Sequence, residues 1–165
     1  MKLVFSHRKE SGPWGSKIRA LAETAKGHGC AVDSLDYEGL MDPDERVARL
    51  ANYLAQEQDE FILVGSSMGG YVSLVTAMDH TPKAVFLLAP ALYIPNYKHQ
   101  AYRASCPVEI VHGWSDDIIP VENSIAFAKE SESTLHLIVG DHRLNSSLDQ
   151  VLRIFDSFLR AVLSK

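Results

Sequence analysis

Apolar residues gather in six short runs along the chain, at residues 3–5, 31–35, 61–64, 84–89, 108–111 and 135–139. Each has strand length, and most are continuous rather than alternating, the pattern of strands covered on both faces. Between most of them lie stretches of helical period. Residues 17–26 put Ile18, Leu21, Ala22 and Ala25 on one face, and residues 44–56 do the same with Val47, Leu50, Ala51 and Leu54. A third stripe, Leu148, Leu152, Phe155 and Leu159, runs through residues 148–163. Pro43 and Pro120 sit where a first helical turn is expected, and Gly27 and Gly29 where a helix stops. Ser146 or Ser147 is expected to cap the last helix. Alternating strands and helices predict an α/β fold, a three-layer αβα sandwich around a six-stranded, mostly parallel sheet.

At 165 residues the chain suits one core, and no repeat, low-complexity tract or Gly/Ser linker divides it, so residues 1–165 read as a single domain. A hydrophobic share of 46% fills that core without a metal or disulfide staple. The net charge of −5, with no basic run in the sequence, argues against nucleic-acid and anionic-membrane partners. No window reaches the length of a membrane span, and the first apolar run is too short for a signal peptide. A cytoplasmic protein with Cys30 and Cys106 as free thiols is the expectation. No metal set or cofactor motif stands out.

The third apolar run leads directly into Gly65-Ser66-Ser67-Met68-Gly69, a G-x-S-x-G element between a strand and a helix. That context gives it a mechanical meaning: a sharp turn holds Ser67 in a strained backbone conformation and projects its hydroxyl above the sheet edge. The chain doubles back there, so Gly65 and Gly69 must be small, and the new helix aims amide donors at the site. The bland alternative is a glycine-rich turn in a non-catalytic α/β protein. Ser66, in the variable position, is expected to pack or hydrogen-bond instead.

A serine nucleophile needs a base, and the base an orienting carboxylate, both on loops after later strands. The segment from His112 to Pro120, HGWSDDIIP, resembles the H-G-x-x-D-x-x-V-P segment of the α/β-hydrolase superfamily. The resemblance implies Asp116 as the acid, with the adjacent Asp117 as rival and helix capping ahead of Pro120 as the structural alternative for both. Gly140-Asp141-His142-Arg143 follows the last apolar run, where the superfamily keeps its base; this implies His142. His80, His99, His112 and His136 fit worse by position, His112 with an expected structural role. Asp141 reads as a turn residue.

Acyl transfer also needs oxyanion donors. The backbone N–H of Met68 is one. The loop at residues 6–15 is similar to the superfamily's strand–H-G-x loop, which implies Lys9 as the second, with Arg8 as alternative. Arg8 stands where that loop usually has Gly. If the position needs positive φ, Arg costs on the order of 1–2 kcal/mol there. It then either impairs the hole or brings a guanidinium to the pocket and favours acidic substrates. His7, Trp14, Tyr93 and Trp114 are the candidate pocket residues.

Across its whole length the chain resembles the compact, nearly lidless serine hydrolases of that superfamily, in a minimal form lacking the first two strands. A short flap at about residues 90–107, with Tyr93, Tyr97 and Tyr102, would leave the site open. The implied activity is hydrolysis of a small-molecule carboxylic ester through an acyl-enzyme. Thioester or amide cleavage uses the same machinery. A degenerate hydrolase serving as a protein-binding module is the rival of another class.

Overall fold

The computed structural model describes residues 1–165, and strands form where the apolar runs lie. They are β1 (Lys2–Ser6), β2 (Ala31–Leu35), β3 (Phe61–Ser66), β4 (Ala84–Leu88), β5 (Val108–Gly113) and β6 (Thr134–Ile138). All pair in parallel, in the order β2-β1-β3-β4-β5-β6, so the sheet is fully rather than mostly parallel. β6 stops short of Val139, which is 80% exposed. There the chain turns, and the Ser147 hydroxyl donates to the Val139 carbonyl. That bond takes Ser147 away from the capping role expected of it, and α5 begins without a side-chain cap.

Four helices connect strands, α1 (Ser16–Gly27), α2 (Pro43–Leu54), α3 (Met68–Asp79) and α4 (Val121–Ser131), and a fifth, α5 (Leu148–Leu163), follows β6; β4 passes to β5 without a helix. Helix α2 starts as its sequence directs, with Pro43 in the first turn and Asp42 Oδ1 accepting from the amides of Asp44 at 2.8 Å and Glu45 at 3.3 Å. Helices α1 and α5 cover one face of the sheet, and α2, α3 and α4 the other. Alternate strand residues feed the two cores. Val4, Leu63, Val85 and Ile110 face one way; Leu3, Phe5, Ile62, Phe86 and Val111 face the other. The cores hold 22 and 20 buried residues, so both faces are covered almost equally, which is why the strands read as continuous apolar runs.

Strand order reverses between β1 and β3: the chain leaves β1 toward β2 on one side and resumes at β3 on the other. In open parallel sheets the crevice beyond the carboxyl ends at such a reversal is where ligands bind. The loop after β1 and the turn after β3, at Ser67, both open there. No helix is long and apolar enough to cross a membrane. Cys30 and Cys106 are free thiols.

Candidate active site

Ser67 sits at φ 55° and ψ −116°, a conformation that L residues avoid. The surroundings hold it there. Its N–H donates to the Leu88 carbonyl and its own carbonyl accepts from the Ala91 amide, both at 2.9 Å. A Cβ on Gly65 would overlap the Gly69 carbonyl, and one on Gly69 would overlap the Ser6 carbonyl at the end of β1. Glycine at both positions is therefore what lets the turn close and rest against the β1 loop.

The Ser67 hydroxyl lies 2.9 Å from His142 Nε2, and His142 Nδ1 lies 2.7 Å from Asp116 Oδ2. With Nδ1–H donating to the carboxylate, Nε2 is left to accept from the serine. His142 reaches this position on the turn after β6, where Asp141 Oδ1 accepts from the amides of Arg143 at 3.1 Å and Leu144 at 3.0 Å. Asp141 is thus the turn residue the sequence suggested. Gly113 brings the two loops together, because any Cβ there would overlap the Gly140 carbonyl.

Asp116, not Asp117, meets the histidine. Its side chain is fully buried and every acceptor site is used. Oδ1 accepts from the amides of Ile118 at 2.9 Å and Ile119 at 2.8 Å; Oδ2 accepts from His142 and also from His112 Nε2 at 2.9 Å. Capping of the segment before α4 and orientation of the His142 ring are therefore one residue's work. Burial pushes the Asp116 carboxyl up, but the bonds from His142, Ile119 and Ile118 outweigh it and hold it below the ordinary carboxylate value.

His112 has the structural role its position suggests, and it also contacts Asp116, which its position alone does not indicate. The ring is fully buried; Nε2–H faces both Asp116 and the Ile119 carbonyl at 3.1 Å, so Nδ1 accepts from Ser124 Oγ at 2.7 Å. Burial pushes its pKa down, which keeps it neutral beside the carboxylate.

These groups open on a cleft of about 480 Å³. Arg8, Lys9 and Met68 line it beside Ser67 and His142, together with the apolar Ile94, Tyr97, Ile118 and Ile119. The four expected pocket residues do not. His7 is fully buried: Nδ1–H donates to the Arg8 carbonyl at 2.7 Å and Nε2 accepts from the Tyr37 amide at 2.9 Å. Tyr93, half-buried in the segment after β4, packs edge-on against Tyr102 at the margin of the core, their centroids 5.3 Å apart. Trp14 and Trp114 project outward, the latter 56% exposed. Of the three flap tyrosines, only Tyr97 faces the cleft. The segment is no loose cover, since Tyr71 Oη donates to Asp44 Oδ1 at 2.7 Å and accepts from the His99 amide at 3.1 Å.

Arg8 is not among the residues with positive φ, so the condition under which it would be strained is not met. What shapes this loop instead is Arg46 of α2, a fully buried guanidinium with no carboxylate partner. It donates to the carbonyls of Leu40 at 2.6 Å, His7 at 3.1 Å, Lys9 at 3.2 Å and, more weakly, Arg8 and Tyr37 at 3.4 Å. Three consecutive carbonyls of the β1 loop are thereby gathered on one cation.

A family model described as uncharacterised protein family UPF0227 matches residues 2–102. Over 97% of both chains, the protein is 30% identical to an alpha/beta-superfamily protein of Xanthomonas campestris pv. campestris, with a TM-score of 0.88. The chain is a UPF0227 member of the α/β-hydrolase superfamily. No curated protein matches it in sequence. More distant α/β-hydrolase structures share the fold. Est1E from Butyrivibrio proteoclasticus is 20% identical over 99% of this chain and 88% of its own, with a TM-score of 0.85. Mouse alpha/beta hydrolase domain-containing protein 10 is also 20% identical, over 98% and 90%, at 0.79. Superfamily membership supports hydrolase chemistry in general.

Proposed function

We propose that this α/β-hydrolase is a serine hydrolase of carboxylic esters working through an acyl-enzyme on Ser67. The observation that carries the reading is the unbroken hydrogen-bonded line from Asp116 through His142 to a strained Ser67 at the edge of a cleft. Ser67 Oγ attacks the ester carbonyl as His142 Nε2 takes its proton, and the same proton passes to the departing alkoxide. Water then attacks the acyl-enzyme with His142 again as base, releasing the acid and restoring Ser67. Asp116 keeps the ring in its Nδ1–H tautomer and steadies the imidazolium. The amides of Met68 and of Lys9 or Arg8, all at the cleft, are suited to the oxyanion. Of the two motives for the degenerate, non-catalytic alternative, Arg8 and the absent cap, the first is weakened because φ at Arg8 is not positive.

The test is labelling by a fluorophosphonate probe, followed by a series of p-nitrophenyl esters of rising acyl length. Wild-type protein is expected to label stoichiometrically. Ser67→Ala is expected not to label and to lose ester turnover by about 10³-fold or more. Equal labelling of both proteins would sink the assignment.

A further inference from the structure

A second cavity, of about 230 Å³, adjoins the cleft and shares Arg8 and Arg143 with it. The two differ in charge. The cleft sets Glu10, Asp117 and Asp141 among its cations, whereas no carboxylate lines the second cavity. There Arg8, Lys17 and Arg143 converge with Ser11, Ser16 and Asn145. None of the three cations takes part in any ion pair of the protein. Lys17 Nζ donates to the Arg143 carbonyl at 2.9 Å, which fixes its head at the wall. Its pKa is pushed down to about 8, by burial first and then by the charge of Arg8, against the opposing pull of Asp141. The first turn of α1 forms another wall and has no side-chain cap, so its amides are free to donate.

Three unpaired cations around one concavity repel one another, and they do so in a protein whose net charge is −5. Two guanidiniums, an ammonium and several hydroxyl and amide donors are the set that binds an oxyanion with bidentate geometry. We propose that this cavity is an anion subsite that seats a carboxylate or phosphate carried by the ester substrate while its scissile carbonyl lies at Ser67. The inference rests on Ser67 being the nucleophile. Because Arg8 and Arg143 line both cavities, an anion held there is continuous with the acyl cleft rather than a remote effector.

The test uses matched esters that differ only in charge. On the alcohol side these are the acetates of 3-hydroxybenzoic acid, 3-hydroxyphenyl phosphate and neutral 3-hydroxybenzamide; on the acyl side, p-nitrophenyl hydrogen adipate against p-nitrophenyl hexanoate. At least one anionic ester is expected to exceed its neutral partner in kcat/KM by about ten-fold or more, through KM. The carboxylate and phosphate arms tell which anion the cavity prefers. In Lys17→Met, or Lys17→Gln if that variant folds poorly, the ratio is expected to fall to within about two-fold of unity. Equal rates on charged and neutral esters, or a ratio that Lys17→Met leaves alone, overturn the subsite. Calorimetric titration of inorganic phosphate and of adipate into Ser67→Ala, with and without Lys17→Met, reads the cavity without turnover. At least one is expected to bind, and to lose binding with Lys17; no binding of either overturns the proposal. Should no ester turn over and no probe label Ser67, the nucleophile assignment falls, and the titration alone decides the cavity.

Discussion

A non-glycine residue at φ 55° is held against its own preference, at a cost of about 1–3 kcal/mol. Ser67 persists there because Leu88, Ala91 and two flanking glycines leave the backbone nowhere else to go. Gly69→Ala places a methyl against the Ser6 carbonyl and is expected to cost about 1–3 kcal/mol. Its kcat on esters should fall well beyond what that lost stability explains, as seen by comparing melts with rates measured far below Tm. Asp116→Asn keeps one acceptor oxygen where two are used, so its NH2 must face either the two histidines or the Ile118 and Ile119 amides; with the NH2 toward His142 the Nδ1–H tautomer is lost, and kcat should drop by about 10³–10⁴. The meeting of Ser67, Asp116 and His142 was legible from the G-x-S-x-G turn and from the resemblance of two later loops to the superfamily's; chain order narrowed the choice but did not separate Asp116 from Asp117. The lining of the cleft was not. Whether Trp14, Tyr93 or Trp114 turns inward depends on loop path, which local sequence leaves open. His112 did carry a signal, its four-residue spacing from Asp116 across a turn that folds back on itself.

Among the elements, α2 does more than cover the sheet. Its buried residues are Arg46, Leu50 and Leu54, spaced at successive fours, so the arginine belongs to the same stripe as the two leucines. The apolar period assigns that face to Val47, Leu50, Ala51 and Leu54 and leaves out Arg46, since a charged side chain is rarely fully buried without a paired charge. Here carbonyl oxygens replace the paired charge. Arg46→Lys offers one nitrogen where the guanidinium offers three, leaving buried carbonyls of the β1 loop without donors. Stability should fall by about 1–3 kcal/mol. If the loop supplies an oxyanion donor, kcat should fall while KM stays near wild type, because that donor acts on charge present only in the transition state. A variant with lowered Tm and unchanged kcat would confine Arg46 to structure.

For the molecule as a whole, the α/β layering was readable from strand-length apolar runs, but the grouping of charge was not. Arg8, Lys17 and Arg143 come from the β1 loop, α1 and the turn after β6, and only the fold assembles them. The same holds for two histidines buried without charge. His7 and His112 are both fully buried, and burial is the leading cause that pushes each pKa below the ordinary 6.5. Unfolding exposes both rings, so below about pH 6.5 the unfolded chain takes up protons that the folded chain refuses. Stability therefore falls as pH falls through that window, by up to about 1.4 kcal/mol per pH unit for each ring. Asp116 acts lower. With its folded pKa held below the ordinary 3.8, its contribution is complete above about pH 4 and is lost only as pH drops further. Urea unfolding at pH 7, 6 and 5 should thus show a decline that precedes any carboxylate protonation. His112→Gln keeps an N–H for Asp116 but cannot titrate, so its slope over this range should be shallower than wild type by up to about 1.4 kcal/mol per unit. A wild-type stability that is flat from pH 7 to 5, or a slope unchanged by His112→Gln, would mean that these rings are protonated in the folded protein after all.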